Sequence, residues 1–265
     1  SSQNPWERQP ANQEKKTSEE LINEALSIAE KADVIVAAMG EPASWSGEAA
    51  SRSDLSLPEC QQRLLKALNA TGKPVVVVVS SGRPLVLAWE NENFSASVQA
   101  WKLGTEGGNG LADVLFGDYN PSGKLTMTFP RSVGQIPVYY SYLNTGRPAN
   151  QYNRFSSKYL DVPNEPLFPF GYGLSYTTFE YGPVELSNTK PVGNEKITAS
   201  VTVKNTGIMA GEEVVQLYLT DPVATISRPV KELKGFRKVM LQPGESKTVS
   251  FEITTSELKY YHSNL

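Results

Sequence analysis

The sequence predicts an α/β domain, a mostly parallel sheet with helices on both faces, followed by a small all-β sandwich of the immunoglobulin-like kind. Three observations predict it. Helix-period segments alternate with short β-branched runs as far as Phe116, and period-two alternation takes over from Pro183. Between them, Asn120 to Tyr181 is rich in Pro, Gly, Tyr and Asn, with only short apolar islands. These changes place an α/β domain at 1–147, an extended linker at 148–182 and a β-sandwich at 183–265.

Each element follows from a local pattern. In TSEELINEALSIAEKA, Leu21, Ile22, Ala25, Leu26, Ile28, Ala29 and Ala32 recur at helical spacing, and Thr17 with Glu20 forms a capping box that starts the helix. VIVAAMG, ending at Gly40, reads as a buried strand that feeds a long polar loop to Leu57. A second helix is expected from Pro58 to Asn69, with Ser56 and Glu59 as its capping box and Cys60, Leu64, Leu65 and Leu68 on its apolar face. Thr71-Gly72-Lys73-Pro74 stops it and leads into the strand VVVVVS. A helix over 85–90, a strand over 97–101 and a helix over 107–116 repeat the unit. Beyond Pro183, ITASVTVKNTG, VVQLYLTD, LKGFRKVML and KTVSFEIT are the sandwich strands, with turns at Asn205-Thr206-Gly207 and Gln242-Pro243-Gly244-Glu245. The opening strand of the first domain and a closing strand of the second are missing from this pattern, so both are expected to be cut from something larger.

Composition removes several classes of function. The net charge is −3 with no block of like charge, which argues against a nucleic-acid or anionic-membrane surface. The longest apolar run, Pro74 to Val79, falls far short of the roughly 20 residues of a membrane span. Ser1 to Lys16 is polar and has no signal-peptide core, so the chain is expected to be cytoplasmic, or to begin after processing or inside a longer protein. One cysteine, Cys60, and one histidine, His262, exclude an internal disulfide, a Cys/His zinc site and a Ser-His-Asp triad. Cys60 is expected to be a core thiol and His262 a surface imidazole. No cofactor is expected, and the chemistry must run on carboxylates, Lys, Tyr or backbone groups. The 12 Tyr and 4 Trp residues suit flat polar ligands such as sugars, though sandwich packing also uses Tyr.

The loop from Gly40 to Pro58 lies where open α/β sheets bind ligands, beyond the carboxyl end of a strand. It carries Glu41, Trp45, Glu48, Arg52 and Asp54. A carboxylic acid can donate a proton to a leaving-group oxygen, while Trp stacks a ring and Arg fixes charge. On residue types alone, a solvated acidic loop is the favoured reading. GTEGGN, Gly104 to Asn109, lacks the Lys-Ser/Thr of a phosphate loop and reads as a strand-to-helix turn.

Ser46-Gly47-Glu48-Ala49-Ala50-Ser51-Arg52, followed by Asp54 and Leu57-Pro58, resembles the acid/base loop of family 3 glycoside hydrolases of the bacterial β-glucosidase type. Gly72-Lys73-Pro74, Ser81-Gly82-Arg83-Pro84, Gly104 to Gly108, ADVLFGDYNPSGKL, FPRSVGQIPVYY, FPFGYGLSYTTF and RPVKELKGF extend the resemblance from Asp33 to Glu257. It implies a retaining β-glucosidase acting on terminal β-glucosyl residues of glucosides or oligosaccharides, in which Glu48 is the general acid/base. The second domain becomes a fibronectin type III-like sandwich. The nucleophilic aspartate is expected on an N-terminal (β/α)8 barrel outside this chain, because Ser53-Asp54-Leu55 and Gly117-Asp118-Tyr119 fall inside stretches matching the C-terminal domains.

Trp45, Glu41 and Arg52 are the expected substrate-contacting residues. For Glu41, which directly follows the strand, a structural or pocket-lining role weighs more. Arg52 is favoured as a loop brace, since pairing with Glu48 would depress the pKa of a group that must donate a proton. The resemblance also implies a periplasmic or secreted location and permits a homodimer. A second reading is a non-catalytic carbohydrate-binding or domain-docking module. Without a barrel, the chain alone is expected to be inactive.

Overall fold

A computed structural model describes residues 16–261, so His262 lies outside the described residues. The chain packs as two compact units. The first comprises the described residues to Arg52, Ser56–Arg83 and Leu87–Trp101, and the second comprises Ser53–Leu55, Pro84–Val86 and the chain from Lys102 onward. No helix among the described residues is long and apolar enough to cross a membrane.

The first unit is built on a parallel sheet. Helix α1 (Ser18–Ala29) leads to β1 (Ile35–Gly40), α2 (Glu59–Asn69), β2 (Val75–Ser80), α3 (Ala88–Asn93) and β3 (Ala96–Gln99), with spatial order β1-β2-β3. The valine run of β2 is central, and Val75, Val77, Val78 and Val79 are buried as a doubly covered strand requires. The register pairs Ile35 with Val75 and Gly40 with Ser80. The Thr17–Glu20 capping box is present at the start of α1. At its other end, Lys73 Nζ donates to the carbonyls of Glu30, at 2.8 Å, and Ala32, covering backbone acceptors that the helix leaves open.

Three local expectations differ from the structure. Helix α2 has Pro58 as its N-cap with no side-chain cap, in place of the Ser56–Glu59 box. Proline biases the residue before it away from helical dihedrals, so Leu57 remains outside the helix and Ser56 is too far from its first turn. Cys60 is exposed, because the buried residues of α2 are Leu65 and Leu68 and Cys60 lies off their face. Helix α3 runs three residues later than its expected 85–90 span because Val86 N–H donates to Leu55 C=O, at 2.9 Å, before the helix begins.

The second unit contains α4 (Gly107–Phe116), a long irregular stretch, and antiparallel strands. Gly107 N–H closes a turn on Gly104 C=O at 3.2 Å, so the glycine-rich segment serves as a helix entry. Strands β4 (Phe179–Tyr181) and β5 (Glu185–Leu186) pair with one edge of β6 (Ile197–Asn205), and β9 (Ser246–Ile253) pairs with the other. Strands β7 (Gly211–Leu219) and β8 (Glu232–Leu241) form a separate two-stranded ladder. Val203, Val215, Leu241, Val249 and Phe251 make the core between these sheets. A short helix, α5 (Thr255–Leu258), follows β9.

The irregular stretch is held by hydrogen bonds and ring contacts. Phe129 and Phe168 form a β-bridge, and Leu125 exchanges backbone bonds with Gly171 and Tyr172 at 2.7 Å each. Tyr140 stacks on Phe170 at 4.4 Å and meets Tyr218 edge-on at 5.9 Å. Glu213 accepts from Lys124, at 2.9 Å, and from the Tyr181 hydroxyl, at 2.8 Å, joining this stretch to β7 and β4. Burial and the Glu213 carboxylate both raise the Tyr181 phenol well above its ordinary range, keeping it a donor. Tyr140, Tyr181 and Tyr218 are thus used to hold the fold together.

Asn205, fully buried, is the polar node of the sandwich. Its amide nitrogen donates to Met209 C=O at 2.8 Å and Leu241 C=O at 3.0 Å, while its oxygen accepts from Thr177 Oγ1 at 2.7 Å and Gly207 N–H at 3.0 Å. Asn205→Asp is therefore expected to replace two donated bonds by carboxylate–carbonyl repulsion. It should lower stability by about 2–4 kcal/mol in denaturant titration.

Gly40 has φ +152°, and a Cβ there would sit 1.9 Å from the backbone oxygen of Ser80. Gly40→Ala is expected to separate the ends of β1 and β2 and to destabilise the first unit by more than about 2 kcal/mol, measured by its melting temperature.

At α5, the Thr254 hydroxyl and backbone amide pull the Glu257 carboxyl from 4.5 down to about 2. This capping interaction is fully present above pH 4.5 and is lost as pH falls through about 2. A carboxyl NMR titration of Glu257 should show that depressed midpoint, and a midpoint near 4.5 would contradict the cap.

Candidate active site

The candidate site is the loop that leaves β1. Gly40 is the last residue of the strand, and its backbone N–H and C=O are both engaged by the side-chain amide of Gln61 on α2, at 2.9 Å each. Glu41 N–H continues the ladder to Ser80 C=O at 3.0 Å. The start of the loop is thus tied to a helix and to a strand before any loop side chain is considered.

A short 3-10 turn, Ala43–Trp45, follows Pro42. The chain then reverses at Gly47–Ala50, where Ala50 N–H donates to Gly47 C=O at 3.3 Å. Ala49 occupies the left-handed region at φ 57°, a conformation that disfavours a side chain. Glu48 sits within this reversal and is exposed. Buried Leu57 and a bond from Gln62 Nε2 to Leu57 C=O, at 2.7 Å, fix the return of the loop to α2.

Charge organises the interior of the loop. The Glu41 side chain is only 1% exposed, with Arg83 Nε 3.2 Å and Arg52 Nε 3.9 Å from its Oε1. Arg83 also donates through Nη2 to Trp45 C=O at 2.7 Å and to Ala50 C=O at 3.2 Å. The Arg52 guanidinium lies 3.5 Å over the Trp45 ring. Ser81 Oγ donates to Arg83 C=O at 2.8 Å and accepts from Gln99 Nε2 at 3.0 Å, linking Arg83 to β3.

Each expected site residue therefore has a defined place. Glu48 is on the solvent side of the loop. Glu41 is enclosed with the two arginines, which both approach its Oε1, so its carboxylate is not displayed to a ligand. Trp45 is half-buried with one ring face covered by Arg52. Arg52 reaches Glu41 and Trp45 as a brace. Gln61, Ser81, Arg83 and Gln99 were not among the expected site residues. For Arg83 the available signal was a basic residue just beyond β2, at the same sheet end as the loop.

The family model described as the glycosyl hydrolase family 3 C-terminal domain matches residues 2–176, and that of the fibronectin type III-like domain matches residues 213–265. The chain is 54% identical to the periplasmic beta-glucosidase of Salmonella typhimurium over 92% of its own length and 32% of the relative's. It is 45% identical to a beta-xylosidase of Formosa agariphila, covering 94% of this chain and 34% of that protein. Among solved structures, the beta-glucosidase of Listeria innocua in complex with isofagomine superposes with a TM-score of 0.90 at 47% identity, covering 94% of this chain and 35% of that one. The chain spans about a third of the length of the curated relatives it matches. On this evidence the chain belongs to glycoside hydrolase family 3, with the family's C-terminal domain followed by its fibronectin type III-like domain.

Proposed function

We propose that this chain is the acid/base-bearing C-terminal part of a retaining β-glucosidase. The observation that carries the reading is Glu48, the exposed carboxyl of a braced loop beyond the end of β1, in a chain 54% identical to a periplasmic beta-glucosidase. Exposure leaves this carboxyl free to meet a glycosidic oxygen, whereas Glu41, in the same loop, is committed to arginine.

A retaining glycosidase uses two carboxyl groups about 5–5.5 Å apart. In the first step Glu48 protonates the leaving-group oxygen as the anomeric C–O bond breaks, and an aspartate outside this chain forms the glycosyl-enzyme bond. In the second step the Glu48 carboxylate takes a proton from water as that water attacks the anomeric carbon and releases the aspartate. The aspartate belongs to an N-terminal barrel, so the chain alone does not turn over substrate. The half-buried Trp45 ring is the candidate stacking surface beside the leaving group. The name of the Salmonella relative supports a periplasmic or secreted location. The beta-xylosidase relative makes xylosides the competing substrate, to be compared directly with glucosides.

Glu48→Ala in the full-length enzyme is expected to lower turnover of an aryl glucoside by about 10²–10⁴-fold. Azide should restore turnover and give β-glucosyl azide, because the small anion enters the space left by the carboxyl and needs no base. Unchanged activity, or loss without azide rescue, would overturn the assignment of Glu48.

A further inference from the structure

From the contacts of the loop we infer that Arg83 and Glu41 together form a positioning device that sets the placement of Glu48; the inference rests on reading Glu48 as the proton donor. Arg83 Nη2 holds the carbonyl of Trp45 at 2.7 Å and that of Ala50 at 3.2 Å. These two carbonyls bracket the reversal that carries Glu48, so one guanidinium grips the loop on both sides of the carboxyl. Its Nε faces the buried Glu41 carboxylate at 3.2 Å. The planar fork of an arginine can address these acceptors together, while a lysine ammonium lacks that fixed geometry.

The device is anchored at its far side. Glu41 is fixed to the sheet through its N–H to Ser80 C=O, at 3.0 Å. Arg83 is fixed through Ser81 Oγ, which in turn is held by Gln99 of β3. The positions of the strand ends are thus transmitted to the loop through one ion pair, buried on its carboxylate side. Neither side chain needs to touch substrate. Arg83 acts on the reaction through the backbone of residues 45 and 50, and Glu41 acts through Arg83.

The test uses the full-length enzyme and two glucosides of opposite demand. Cellobiose has an alkoxide leaving group that needs a proton, and 2,4-dinitrophenyl β-glucoside has one that departs without it. Arg83→Met is expected to lower kcat/KM for cellobiose by about 100-fold, the scale of a displaced catalytic group. For the dinitrophenyl substrate it should fall by less than about 5-fold, since general-acid assistance is not needed there. Glu41→Gln should show the same split, and Arg83→Lys a smaller one. Equal losses on both substrates would mark a merely structural role and overturn the inference.

Amide hydrogen exchange supplies a readout independent of turnover. In Arg83→Lys and Glu41→Gln, residues 43–52 should exchange faster while β1 and β2 keep their protection; unchanged exchange in 43–52 would overturn the inference. Glu48→Ala is the control. If Glu48→Ala lacks both the leaving-group split and azide rescue, the reading of Glu48 fails. If it shows both and the Arg83 and Glu41 variants do not show the split, the positioning device alone fails.

Discussion

A carboxylate buried at the end of a strand is the constraint from which the rest of the loop follows. The Glu41 side chain is 1% exposed, and an uncompensated charge in that place would cost several kcal/mol. Two arginines answer it, one from the far end of the same loop and one from just beyond β2. Once Arg83 is placed for that purpose, its remaining N–H groups take the carbonyls of Trp45 and Ala50. Arg52, drawn toward the same carboxylate, covers a face of Trp45. One electrostatic requirement therefore organises the middle of a polar segment whose apolar anchor, Leu57, lies only at its end.

The sheet makes the burial feasible. Gly40 lets β1 run against Ser80 where a side chain would collide with backbone, and Gln61 binds both polar groups of that glycine. The strand can therefore end flush with its neighbour and deliver Glu41 inward. The sandwich solves its own polar problem by the same logic: buried Asn205 is tolerated because its oxygen and both amide hydrogens have partners. In each unit a polar side chain inside the fold fixes segments that hydrophobic burial alone would leave free to shift.

What could be read from the sequence was what depends on neighbours in sequence. The valine run of β2, the Thr17–Glu20 box and the period-two strands of the sandwich each encode their own conformation locally. Ser56–Glu59 has the spacing of a cap as well, but the intervening Pro58 outweighs it. The delay of α3 depends on a bond from Val86 to Leu55 across α2 and β2, which no local window contains. Likewise, the irregular stretch from Asn120 carries little periodicity because its order comes from ring stacking and from distant acceptors on the strands.

The site shows the same division more sharply. Glu41 and Glu48 are the same residue type in one loop, and residue chemistry alone assigns either to proton transfer. Their difference is created by Arg83, a residue beyond α2 and β2 that encloses one carboxylate and leaves the other outside. The resemblance of the Ser46–Arg52 stretch identifies which glutamate matches a family position. The three-dimensional pairing adds a physical difference, because the Glu41 carboxylate is enclosed and held in place by guanidinium, while proton donation needs a carboxyl that can reach an incoming oxygen.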